Sequence, residues 1–117
     1  MSVTAEEAAA HLRQRAEATR ARALSRAAAL RERLPAARAL LVDGYGARRV
    51  VLFGSLATGE VHEGSDVDLA VEGLPKLAYF DALAALMDAM ETRVDLVRLE
   101  DAPPSLAARI EAEGEPL

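Results

Sequence analysis

The residues of this 117-residue chain whose types and spacing could do chemistry lie between Val50 and Val71, in the stretch VVLFGSLATGEVHEGSDVDLAV. An apolar run, Val50-Val51-Leu52-Phe53, leads into Gly54-Ser55, and after ten more residues Asp66-Val67-Asp68 opens a second apolar run. Gly54 lets the backbone approach a phosphate closely. Ser55 is placed to cap a short helix over Leu56 to Gly59, whose free N–H groups and positive dipole end favour an anion. Such a cradle binds a polyphosphate but does not break it. Asp66 and Asp68 are two apart in a strand pattern, so both side chains leave the same face, about 6.5 Å apart along the strand. Hard divalent cations such as Mg²⁺ take carboxylates of this kind together with water and phosphate oxygens. The spacing therefore predicts a phosphate cradle facing a pair of metal-binding carboxylates.

Four fixed residues at fixed spacing arise by chance in roughly one chain in a thousand of this length. The pattern resembles the GS-x10-D-x-D signature of the nucleotidyltransferases related to polymerase beta, carried here by Gly54, Ser55, Asp66 and Asp68. The size of the chain and its closing stretch, APPSLAARIEAEGEPL, resemble the minimal members, the MNT proteins that act as antitoxins to HEPN toxins. That resemblance asks for a third carboxylate on a later strand, and Arg93-Val94-Asp95-Leu96-Val97 supplies Asp95. An Asp in so apolar a strand needs a cation or hydrogen-bond partners if it is buried, the plainer alternative being a salt bridge with Arg93, Arg98 or Arg109. Many relatives carry an Arg within the few residues after Gly-Ser. Here Leu56, Ala57 and Thr58 fill those places, which leaves the cation that balances a triphosphate unassigned.

By this resemblance the chain moves a nucleoside monophosphate from an NTP to an acceptor hydroxyl. Gly54 and Ser55 would hold the β- and γ-phosphates, Asp66 and Asp68 would ligate two Mg²⁺ ions, and Asp95 would hold the catalytic ion and help deprotonate the acceptor. The resemblance further implies ATP as donor and a tyrosine of a HEPN ribonuclease toxin as acceptor, AMP addition silencing the toxin. The residues themselves imply only a triphosphate, a divalent metal and an acceptor brought by something else. Two other readings stay open: an antitoxin that neutralises by binding alone, and transfer to a small-molecule hydroxyl, against which the lack of a second domain argues.

Composition bounds the rest. The length suits one domain, 1–117, with a helical extension over 1–44 and a catalytic core over 45–117. No apolar run approaches a membrane span, and the start, with Glu6 and Glu7, does not read as a signal peptide, so a cytoplasmic protein is expected. There is no cysteine, and only His11 and His62 offer imidazoles, so any metal is held by oxygen. A net charge of -5 argues against general nucleic-acid binding. The charge is also divided: residues 1–42 hold eight Arg against four Glu, and residues 43–117 hold six basic against fifteen acidic side chains.

The elements that must position these groups form an α/β domain, a nucleotidyltransferase fold with a small mixed sheet flanked by helices and preceded by a long N-terminal helix. That helix starts at a capping box of Thr4 and Glu7 and reaches Leu34, where Pro35 interrupts it; a shorter helix then covers Ala36 to Val42. Leu12, Leu24, Leu30 and Leu34, with Ala16, Ala23 and Ala27 between them, make one narrow apolar stripe. It could pack on the domain, on another copy as a homo-oligomer, or help dock a protein partner; direct nucleic-acid binding is disfavoured because the helix has no aromatic residues. Strands are predicted over Arg49 to Phe53, Asp66 to Val71 and Arg93 to Leu99. In the second, Asp66, Asp68 and Ala70 point to the site and Val67, Leu69 and Val71 to the core. A helix over Leu77 to Met90 is expected to bury Phe80, Leu83, Ala84, Met87 and Met90, and a last helix runs from Ser105 to Ala112. His62 is read as a loop residue.

Overall fold

The computed structural model describes residues 4–60, 64 and 66–117. Helix α1 spans Ala5–Ala39. The expected capping box is present: the Glu7 amide donates to Thr4 Oγ1 at 3.1 Å and the Thr4 amide to the Glu7 carboxylate at 3.4 Å. The predicted break at Pro35 does not occur. Pro35 sits on the solvent side while Leu34, Ala37 and Leu41 are buried, so packing on one face carries the helix past the missing amide. A π-helical turn, Leu40–Gly44, then ends the helical segment.

After α1 come strand β1 (Arg49–Phe53), the short helix α2 (Ser55–Thr58), strand β2 (Val67–Glu72), helix α3 (Tyr79–Met90), strand β3 (Val94–Arg98), helix α4 (Pro104–Glu113) and strand β4 (Glu115–Pro116). The sheet order is β3-β2-β1-β4. β1 is antiparallel to both β2 and β4, whereas β2 and β3 are parallel, so the sheet is mixed as expected. β4 is an addition. Gly114 and Pro116 read as ending the last helix, yet an edge position tolerates Pro116, and the Leu117 amide closes the pairing on Val50 O at 2.9 Å.

Alternation assigns the two faces of the sheet. Val50, Leu52, Val67, Leu69 and Val71 are buried in one core with Leu30, Leu34 and Leu41 of the α1 side and Ala82, Leu86 and Met90 of α3. The opposite face carries a small second cluster, Val51 and Ala70 beneath Ile110 of α4. The buried stripe of α3 differs from the expected one. Ala82, Leu86 and Met90 are buried, while Phe80 is 80% exposed and Met87 is also exposed. The helix has large apolar residues around most of its circumference, and a small side chain such as Ala82 marks a close approach without adding hydrophobic weight.

The α1 stripe is used over only part of its length. Ala23, Leu30 and Leu34 are buried, but Leu24 is 56% and Leu12 62% exposed. Arginines fix the packed half: Arg31 bonds Glu115 and Leu56 O, Arg33 bonds Met90 O, and Arg26 bonds Thr92 Oγ1 at 2.7 Å. Leu56 follows the Gly-Ser turn and Thr92 precedes β3, so these bonds tie the C-terminal half of α1 to the segments that flank the motif residues. Among the described residues, no helix is long and apolar enough to cross a membrane.

Candidate active site

The chain leaves β1 through Gly54, whose φ of 74° and ψ of -158° belong to a backbone conformation that glycine alone adopts without strain. This moves the helix cap. Ser55, expected to cap α2, is instead its first residue, and Gly54 holds the cap position with no side-chain cap bond. The first amide of the turn to find a helical carbonyl is that of Thr58, bonded to Gly54 O at 3.1 Å. The amides of Ser55, Leu56 and Ala57 therefore have no partner within the helix and remain donors for an anion.

A Cβ added to Gly54 would stand 2.1 Å from Asp68 Oδ2. Cradle and carboxylate are thus in contact, with no space for a side chain between them. Sheet register then brings in Asp95. Phe53 pairs with Asp68 across β1 and β2, and Asp68 pairs with Asp95 across β2 and β3. Asp66 lies just before β2 and shares the face of Asp68 by alternation. Asp66 and Asp68 are half-buried, whereas Asp95 is exposed. Its exposure answers the question of its partner differently from the sequence: among the described residues it forms no salt bridge with Arg93, Arg98 or Arg109, and Arg98 turns instead to Asp101 and Leu74 O.

The crowding has an electrostatic consequence at Asp68. Burial first, then the negative charges of Asp95 and Asp66 and a side-chain hydrogen bond with Asp95, push its carboxyl up to about 6. Among the described residues, no three acidic or imidazole side chains are already gathered as a closed metal cage. Mg²⁺ does not require one, because it keeps waters and phosphate oxygens and takes only one or two carboxylates. An all-oxygen donor set whose mutual repulsion a cation would relieve fits such an ion.

A cavity of about 190 Å³ opens beside these groups, lined by Phe53, Gly54, Asp68, Leu106, Arg109 and Glu113. A larger one, about 350 Å³, lies by Tyr79, Phe80 and Arg98 and includes none of Gly54, Ser55, Asp66, Asp68 or Asp95. The smaller space is the one with the chemistry. Its α4 wall was not foreseen: Leu106, Arg109 and Glu113 recur at helical spacing on one face, but nothing in the last helix alone says that this face meets Gly54. His62 falls outside the described residues.

The polymerase beta nucleotidyltransferase family model matches residues 41–117. The protein adenylyltransferase MntA of Shewanella oneidensis is 34% identical over 71 residues, 58% of this chain and 51% of that protein. The protein adenylyltransferase MntA of Thermococcus cleftensis is 42% identical over 60 residues, 49% of this chain and 61% of that protein. The chain thus spans between half and two thirds of the length of these curated relatives. Among solved structures, a protein described as a minimal nucleotidyltransferase superposes with a TM-score of 0.68 and 36% identity, over 78% of this chain and 95% of the other. A crystal structure of a toxin–antitoxin with AMP-PNP superposes with a TM-score of 0.61 and 28% identity, over 68% of each chain. With the family model covering the whole sheet and a minimal member matching along nearly its full length, the chain belongs to the polymerase beta nucleotidyltransferase family, in the branch of its minimal members.

Proposed function

We propose that the chain transfers AMP from ATP to a hydroxyl of a partner protein, a tyrosine of a HEPN-type toxin, and thereby acts as its antitoxin. The observation that carries this reading is the row Gly54, Asp68, Asp95, with the glycine backbone pressed against the middle carboxylate and the third carboxylate open to solvent. Relatives named protein adenylyltransferase and a neighbour solved as a toxin–antitoxin with AMP-PNP support the donor and the kind of partner.

In this mechanism Gly54 and Ser55 hold the β- and γ-phosphates through backbone amides and the Ser55 hydroxyl. Asp66, Asp68 and Asp95 would hold two Mg²⁺ ions, whose contribution when bound would be Lewis-acid stabilisation of the charge that develops in the transfer. Asp95, the most exposed of the three, also takes the acceptor proton, since it is the one most open to a side chain of another protein. The acceptor oxygen bonds to the α-phosphorus, the bond from that phosphorus to the bridging oxygen breaks, and pyrophosphate leaves in line. Holding the acceptor falls to the partner, with the uncovered half of α1, carrying Leu12 and Arg13, Arg15 and Arg20, as the docking arm.

The test is neutralisation of the partner toxin in cells by the wild-type chain and by an Asp66→Asn/Asp68→Asn double variant. Loss of protection with the variant still bound to its partner is the expected result. Protection that survives the double change would replace enzyme with binding module.

A further inference from the structure

We propose that Arg109, on the α4 wall of the site, is the cation that meets the polyphosphate of the donor nucleotide and makes the pocket prefer a triphosphate to a monophosphate. This rests on the nucleotidyltransferase reading above and extends it to a residue outside the motif.

The argument begins with charge. Three carboxylates and a triphosphate bring roughly seven negative charges into one small space, and two divalent ions offset about four of them. Further positive charge from the protein is needed. The three residues after Gly54-Ser55, namely Leu56, Ala57 and Thr58, are all uncharged. In the core domain, Arg48 and Arg49 are held by Glu72, Glu100 and Glu111, and Arg98 by Asp101, while Arg93 and Lys76 do not line the cavity that holds Gly54 and Asp68. On α1, Arg31 and Arg33 are tied to Glu115 and Glu91.

Arg109 differs from all of these. It lines the 190 Å³ cavity together with Gly54 and Asp68, and it forms no hydrogen bond or ion pair among the described residues. Ile110 beside it is buried on Val51 and Ala70, which anchors this turn of α4 on the sheet face that carries the carboxylates. The guanidinium is thus uncommitted and attached to a fixed turn. Its planar fork suits two phosphate oxygens at once, which an ammonium does not match. Glu113, one turn further on the same wall, sets a negative limit to the pocket.

The experiment is calorimetric binding of a non-hydrolysable ATP analogue and of AMP to the wild-type chain, Arg109→Gln and Arg109→Lys, with Mg²⁺ and again with EDTA. Arg109→Gln is expected to bind the analogue about tenfold or more weakly while AMP affinity changes less than about threefold, and Arg109→Lys to recover part of the loss. The loss should persist in EDTA, where no cation competes for the phosphates. Unchanged melting of both variants is expected, because the side chain holds nothing in place. Equal binding of the analogue by wild type and Arg109→Gln, or equal losses for analogue and AMP, overturns the assignment while leaving the transferase reading intact. A wild-type chain that binds neither nucleotide overturns both.

Discussion

On one face of the sheet Val67, Leu69 and Val71 disappear beneath α1 and α3; on the other, the same segment presents Asp66, Asp68 and Ala70, of which only Ala70 is fully covered, by α4. Both faces come from one alternation, and they separate stability from chemistry by a single residue step. The apolar face gains from every methylene it buries. The acidic face costs free energy in the empty protein, since Asp68 is forced to share a confined space with two like charges. Neighbouring residues should therefore respond to substitution with opposite signs.

The largest effect on stability is expected at Leu69. It is completely buried directly after Asp68, and Leu69→Ala should cost about 2–5 kcal/mol in denaturant unfolding. Gly54→Ala should come next, at about 1–3 kcal/mol, since it combines a left-handed backbone with a Cβ 2.1 Å from Asp68 Oδ2. It should also abolish nucleotide binding, because the displaced atoms are those of the cradle and the carboxylate together.

A smaller, oppositely signed effect is expected at Asp68. Its folded carboxyl, pushed up to about 6, titrates above the ordinary aspartate value of 3.8, so the folded state binds the proton more tightly than the unfolded state does. The metal-free chain then keeps this contribution below pH about 4 and loses it as pH rises through about 6. After allowance for solvent screening of a half-buried group, the loss is about 1–2 kcal/mol. Melting followed from pH 4 to 7 in EDTA should show the decline, Asp68→Asn should flatten it, and Mg²⁺ should restore stability at pH 7 but not at pH 4. The smallest change is expected for Arg31→Ala. Its ion pair with Glu115 has both side chains more than a third exposed, so global stability should fall by no more than about 1 kcal/mol.

The same contrast explains what could be read from the sequence. β1 and β2 were legible because their hydrophobic period is two and one face is apolar without exception, and the Gly54-Ser55 and Asp66-Asp68 spacing lies within one hairpin-like segment, where local geometry decides proximity. Asp95 required the resemblance, since only the parallel pairing of β2 with β3 sets it beside Asp68. The continuation of α1 through Pro35 was hidden because burial of Leu34, Ala37 and Leu41 overrides a local breaker. The setting of α3 was ambiguous because large apolar residues surround it and only Asp81 and Asp88 mark its outer face. β4 and the Arg109 wall were invisible for one reason: both depend on where the last residues fold back against β1, a long-range fact with no local signal.

The central claim is that the acidic face catalyses nucleotidyl transfer to a protein. The most direct measurement incubates the purified chain with Mg²⁺, ATP labelled on its α-phosphate and a lysate of its source cells, beside Asp95→Asn, whose exposed side chain can change without disturbing the core. The expected result is a labelled protein band in the wild-type reaction, reduced at least about a hundredfold by the substitution, whose mass identifies the acceptor. Absence of label from every protein, with a partner still co-purifying, would contradict the account and leave the three carboxylates as features of the fold alone.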